Sequence, residues 1–408
     1  MDRKMMQSYA DLALDTGLPL RPGARLRIVG DFPQRELMRA IAAGAYKRGA
    51  ALVKLEYDDQ ALSRIRVESS HDEYLDEVSR LLERESETFV DEAWLLLRLV
   101  GPEDPDAMEG ADQGRLTRIQ RARGKAVASL RGAQMAGRIP WCVMPAATPA
   151  WARNILGPQA GEDELWEILA PILRLDRADP GAELRRHIEG LAATSLALNG
   201  LGLRALRFEA PGTELHVTLA PESVWQGGSE VTPEGLPFMP NIPTEETFTT
   251  PDFRGTEGRV ALTKPFRLLG SLVEGGSLRF SKGRVVEFSA SRGASALESY
   301  LATDEGSRRL GEVALVESSN PIAATGLVFD SPLIDENAAC HIALGCGYDT
   351  AFEGAPGWSD GQKAERGFNV SIVHEDLMIG SPQMDVTGID ASGQEFALIR
   401  RGSYSFSS

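Results

Sequence analysis

At 408 residues, 42% hydrophobic and 25% charged, the chain has the profile of a globular protein of two domains, which excludes a disordered or fibrous one. Its formal net charge is −16, from 43 basic and 59 acidic residues, and with no long Lys/Arg run a nucleic-acid partner is not expected. Three cysteines, Cys142, Cys340 and Cys346, lack CxxC spacing, which argues against zinc knuckles and for a reducing compartment.

Met1–Met6 leads into polar helical sequence without an apolar signal core, and no stretch approaches the ~20 apolar residues of a spanning helix, so a cytoplasmic protein with no membrane partner is expected. Arg25–Gly30 reads as a strand. Asp31-Phe32-Pro33 then offers a cap and a first-turn proline for a helix through about Arg48. Ala51–Tyr57, Ala93–Val100 and Arg138–Ala146 read as three further strands with charged helical segments between them, which implies a parallel sheet in βαβ layering, its strands buried on both faces. His71 and His187 fall in charged, helical-looking stretches and read as solvated surface histidines. No GxGxxG or P-loop occurs, so no nucleotide site is supported.

Texture changes near Asn199, with a boundary expected at 195–205, and glycine-punctuated β signals follow. Ala205–Glu209 and Glu214–Leu219 flank a Pro-Gly turn, and His216 alternates with apolar neighbours as a structural strand residue does. Ser271–Ala290 reads as a meander turning at Gly275-Gly276 and Lys282-Gly283. The expected fold is therefore α/β. Residues 1–200 form a layered N-terminal α/β domain with a largely parallel sheet, and residues 201–408 a β-rich α+β metal-binding domain.

Four segments of the second half concentrate possible metal ligands. Asn241–Pro251 holds Glu245 and Glu246 between prolines, and adjacent carboxylates repel unless solvated or neutralised by a cation. Leu310–Val316 is an apolar strand interrupted by Glu312, which calls for a metal, an arginine or exposure. In Asp335–Tyr348, Asp335 reads as a helix cap and Ala338–Leu344 as helix ended by Gly345 and Gly347. That helix would put His341 and Tyr348 two turns apart on one face, and Glu336 has no structural duty. In Ser371–Gly380, His374 and Asp376 are two apart and share a strand face, a common ligand pair for zinc, cobalt, manganese or iron. GxSxG and HExxH are both absent.

Through PNIPTEETFTTP, LGEVALV, SPLIDENAACHIALGCGY and VHEDLMIGSP, in that order, the chain resembles the M29 family of metallo-aminopeptidases. The resemblance implies that Glu246, Glu312, His341, His374 and Asp376 bind metal, with Glu312 shared between two ions, that Tyr348 lines the site as a further metal contact, and that Glu312 and Tyr348 also serve in catalysis. It implies Glu336 as a general base or outer ligand. Two divalent ions (zinc, cobalt, manganese or magnesium) would activate water for attack on the first peptide bond of short peptides, with a carboxylate passing the proton and a homodimer as the working form. Leu377 stands where phenylalanine is expected and Gly347 where alanine is commoner. The rival reading is a mononuclear iron ring-cleaving dioxygenase of pyridine catabolism, for which His341, His374 and Asp376 would suffice; Glu246 and Glu312 weigh against it. A non-catalytic binding protein on the same fold is a third reading.

Overall fold

The computed structural model describes residues 1–406. The chain packs as two compact units, Met1–Arg186 with Ser229–Pro243, and His187–Gly228 with Thr244–Ser408. In sequence, the division falls inside helix Pro180–Gly200, and the 229–243 segment, with its paired strands Glu230–Val231 and Pro237–Phe238, goes with the first unit.

The first unit is built on a four-stranded parallel sheet ordered Leu52–Asp58, Arg25–Asp31, Leu95–Val100, Trp141–Pro145. The expected strands are all present. The helix after Arg25–Asp31 begins with a short 3-10 turn over Phe32–Gln34 and runs over Arg35–Lys47, burying Leu37, Met38, Ile41 and Ala45 at helical spacing. One strand departs from expectation. Leu52–Asp58 is the sheet's edge and only partly buried, with Lys54 and Glu56 in ion pairs that include Arg27. An edge strand covered on one side has no need of a continuous apolar run.

The second unit contains two antiparallel sheets. The larger has eight strands, with Leu203–Ala210 at its centre beside Thr213–Thr218 and Asp385–Asp390. Of the expected meander, Ser277–Ser281 and Arg284–Ser289 form a hairpin turning at Lys282-Gly283, where φ is 50° and 74°, the two positive values a two-residue hairpin requires. Ser271–Val273 instead pairs with Phe266–Leu268 in a separate two-stranded sheet, so Gly275-Gly276 joins two sheets rather than turning a hairpin. The smaller sheet has five strands, ordered His374–Met378, His341–Gly345, Leu310–Val316, Glu246–Thr249 and Gln226–Gly227. One face carries Val313, Leu315, Ile342, Leu344 and Leu377, which share a core with Leu206, Phe208, Leu215 and Val217 of the larger sheet. Each such buried leucine or valine contributes about 1.5–3 kcal/mol, so this face anchors the small sheet firmly.

Two local readings are corrected here. Residues 341–345 are a strand, not part of a helix, and they are paired on both sides. The alanines around them favour helix locally, but all five residues are buried, so no two-residue alternation betrays the strand. Asp335 does not cap a helix there. It ends the short helix Pro332–Asp335, and its carboxylate accepts the Phe329 and Ser331 N–H groups at 2.8 and 3.0 Å, tying down the preceding loop.

Candidate metal centre

The opposite face of the five-stranded sheet has a different composition. Residues directly across an antiparallel ladder project to the same side. Glu312 lies across from Ala343, which lies across from Asp376; His341 faces Ala314; Gly345 faces His374; and Glu246 faces Val316. With period two along each strand, Glu246, Glu312, His341, His374 and Asp376 all emerge on one face, with Ala314, Ala343 and Gly345 leaving space among them.

A bulge makes this possible. The register shifts between Leu310 and Glu312, so that Leu310 pairs with Leu344 on the core side while Glu312 pairs with Ala343 on the site side. Without the shift, residues two apart would share a face and Glu312 would point into the apolar core. Gly311 sits at the bulge, where a Cβ would lie 2.3 Å from the carbonyl oxygens of both Gly345 and Cys346. Only glycine admits that approach.

The polar atoms converge. His341 Nε2 lies 3.1 Å from Glu246 Oε2, 3.6 Å from Glu312 Oε1 and 4.0 Å from Asp376 Oδ1. His374 Nε2 lies 3.4 Å from Glu312 Oε2 and 3.4 Å from Asp376 Oδ1. Two triads result, Glu246–Glu312–His341 and Glu312–His374–Asp376, each compact enough to hold a metal ion. Glu312 belongs to both and turns one oxygen toward each histidine. Each imidazole is oriented from behind. Nδ1–H of His341 donates to the Ala339 carbonyl at 3.2 Å, and that of His374 to the Cys346 carbonyl at 2.7 Å, which turns both Nε2 atoms into the cluster.

Burial makes the cluster electrostatically demanding. The Glu312 and His341 side chains are 4% and 1% exposed, while His374 and Asp376, at 22% and 19%, form its more open side. Burial, reinforced by Asp376 and Glu246, pushes the Glu336 carboxyl well above the ordinary range, and burial also raises Glu246. Burial alone would lower both histidines, but the surrounding carboxylates outweigh it and raise them well above the usual value. Glu246 Oε2, His374 Nε2 and Asp376 Oδ1 are buried and make no hydrogen bond among the described residues. Buried carboxylates crowded together with unsatisfied lone pairs are the chemistry a divalent cation neutralises, so this donor set fits two such ions.

The other expected residues lie beside it. The Tyr348 ring meets that of His374 edge-on at 4.9 Å and that of Phe248 at 5.4 Å, and burial raises its hydroxyl pKa well above the ordinary value. Tyr348 precedes a 3-10 turn rather than ending a helix. Glu336 lies in the 3-10 turn Glu336–Ala338, its Oε1 3.4 Å from Asn337 Nδ2.

Sequence reasoning missed the support behind these groups. Asn337, fully buried, accepts the Glu245 N–H at 2.7 Å and donates to the Leu333 carbonyl at 3.1 Å, joining the segment that carries Glu336 to the one that carries Glu246. His187 is not a solvated surface histidine: its Nε2 contacts the Thr244 carbonyl at 2.8 Å and buried Glu245 Oε2 at 3.2 Å. A buried asparagine leaves no periodic signal, and a contact 57 positions away leaves none either. His71 is exposed, and His216 is an outward-facing strand residue, both as expected.

Residues 2–404 match the family of thermophilic metalloproteases designated M29. Among curated relatives, the chain is 38% identical to aminopeptidase 2 of Geobacillus stearothermophilus, over 99% of this chain and 98% of that one. It is 40% identical to aminopeptidase T of Thermus thermophilus over 98% of each. The solved structure of wild-type AmpT from Thermus thermophilus superposes with a TM-score of 0.92 at 38% identity, covering 99% of this chain and all of that one. These relatives lend no support to the ring-cleaving oxygenase reading.

Proposed function

The chain belongs to the M29 metalloprotease family and is a metal-dependent aminopeptidase, and on that premise we propose that it releases N-terminal residues from short peptides at a centre for two divalent ions. Glu246, Glu312, His341, His374 and Asp376 would be the ligands. The observation that carries the two-ion reading is Glu312, whose two oxygens face two different histidines 3.6 and 3.4 Å away. Histidine donors favour zinc, cobalt or manganese over magnesium.

When bound, the pair of ions would supply Lewis acidity for activating water and polarising the scissile carbonyl. The protein's own groups account for the rest. Glu336, outside both triads but lining the same cavity as His374 and Asp376, is placed to take a proton from the attacking water at a carboxylate oxygen and hand it to the departing amine. Asn337 holds that carboxylate from one side. The Tyr348 hydroxyl, kept protonated by its environment, can donate to the developing oxyanion. The dense negative charge of the site suits the free α-ammonium of a peptide's first residue, which confines cleavage to that end.

The test joins composition to activity. Metal analysis of the purified chain should find two equivalents of divalent ion, and the loaded protein should release one residue at a time from a tripeptide. A single equivalent per active chain would overturn the two-ion reading. The proposal extends to a cytoplasmic homodimer, checked by light scattering of the purified protein and by cell fractionation.

A further inference from the structure

The more open side of the cluster leads into a cavity of about 190 Å³. His374, Asp376 and Glu336 form one end of it, and Phe266, Met378 and Pro332 supply its apolar walls. Strand His374–Met378 is the edge of its sheet, and Met378 follows Asp376 by two residues, so the two share a face. The face that begins with candidate ligands therefore continues, ~7 Å further on, as an apolar floor. Phe266 and Met378 are firmly seated, 8% and 3% exposed, and both belong to the core of the unit. The remaining wall is also fixed, because the Asp335 carboxylate holds the Phe329 and Ser331 N–H groups. At the lining, Arg267 Nε donates to Asp330 Oδ2 at 2.6 Å, so its charge is already answered.

We propose that this cavity receives the side chain of the substrate's N-terminal residue, with Phe266 and Met378 as its walls, and that it selects apolar first residues and rejects acidic ones. The inference rests on the aminopeptidase reading above. Its geometry follows from where the reaction must occur. The carbonyl under attack sits at the carboxylate–histidine cluster, and the first residue's α-carbon is one bond away. A leucine or phenylalanine side chain reaching along the strand face from there ends against Met378 and Phe266. A cavity of ~150 Å³ accepts a benzene ring, so the present one has room for an isobutyl or benzyl group laid against Phe266, Pro332 and Met378. An acidic side chain would meet Asp330 and Asp335 with Arg267 already paired. In an extended chain the second side chain points the opposite way, so this cavity reads only the first.

The experiment compares kcat/KM of the full-length, metal-loaded protein on X-Gly-Gly peptides, with X alanine, leucine, phenylalanine or glutamate, against an Ala-X-Gly series. Leucine should exceed alanine at the first position by about tenfold or more, the scale set by a few methylenes in an apolar pocket, and glutamate should fall below both. Met378→Phe, which fills the cavity, should reduce the leucine-to-alanine ratio by about tenfold, while Phe266→Ala should erode the preference for phenylalanine. Ratios unchanged in both variants, or changes that follow the second residue, would overturn the assignment. Should Met378→Phe unfold, Phe266→Leu provides the milder change, expected to lower phenylalanine relative to leucine. If the wild type cleaved no peptide, the aminopeptidase reading would fail by itself. The pocket would then be judged by calorimetry of free L-leucine and L-alanine: tighter leucine binding supports it and equal binding overturns it.

Discussion

Glu312 and Glu336 are both carboxylates in the same pocket, yet their surroundings ask different things of them. Glu312 faces both histidines and has no close alternative on its strand, so its replacement by glutamine removes one charged donor from each triad. Glu312→Gln should therefore lose both metal equivalents together, measured by elemental analysis after dialysis, whereas Glu246→Gln should spare the second triad. Glu336 lies outside both triads, hydrogen-bonded to Asp376 and to Asn337. Glu336→Gln should retain metal while kcat falls by about 10²–10⁴-fold, the range for loss of a general acid–base. A variant that lost metal instead would make Glu336 a ligand. At this scale the sequence was informative wherever a charged residue interrupted an apolar run, as Glu312 does in LGEVALV. It was silent on Asn337 and His187, whose roles consist of contacts with residues far along the chain.

Among the elements, the five-stranded sheet decides whether these side chains meet at all. Its alternation sends Val313, Ile342 and Leu377 to the core and Glu312, His341 and Asp376 to the site, and the bulge at Gly311 is the one break that keeps Glu312 on the correct side. Gly311→Ala tests this. The added Cβ cannot remain 2.3 Å from two carbonyl oxygens, so the strands must part locally. Overpacking of this kind costs about 1–3 kcal/mol, read as a lower midpoint of thermal unfolding, and metal content should fall with it because Glu312 is re-aimed. A variant that is less stable yet binds metal normally would separate the bulge from the site. The strand containing His341 was the least legible element. Alanine-rich sequence favours helix, and a strand covered on both faces shows no alternation, so only the ladders on either side reveal it. His374–Met378, partly buried at an edge, could be read directly from its two-residue spacing.

For the whole molecule, the alternation of strand and helix signals in the first half and the glycine-punctuated β texture of the second were enough to anticipate a parallel sheet followed by a strand-rich part. They could not show that residues 229–243 return to the first unit, since a chain reversal of that kind leaves no composition change. The concentration of acid around the centre has a consequence for the entire fold. Burial pushes Glu375 up to about 8, and Glu246 and Glu336 are raised as well. A carboxyl whose pKa is higher folded than unfolded binds its proton more tightly in the native state. The native state is thus favoured at low pH and progressively disfavoured as pH rises from the unfolded value of ~4.3 through the raised one. The metal-free protein should accordingly lose stability between about pH 5 and 8; the raised His341 and His374 add to the loss above their unfolded value of ~6.5, whereas the depressed Asp376 acts only at lower pH, below its unfolded value of ~3.9. Divalent ions act in the other sense, because they bind the deprotonated donors more tightly as pH rises and stabilise the native state by ~2.7 kcal/mol when present at a hundred times their dissociation constant. Thermal melts of chelated and metal-loaded protein should therefore diverge from pH 6 to pH 8, the chelated midpoint falling and the loaded one holding. Parallel curves would mean that the buried carboxyls are not what the ions neutralise, and Glu336→Gln, by removing one of them, should narrow the gap by lifting the chelated midpoint at pH 8.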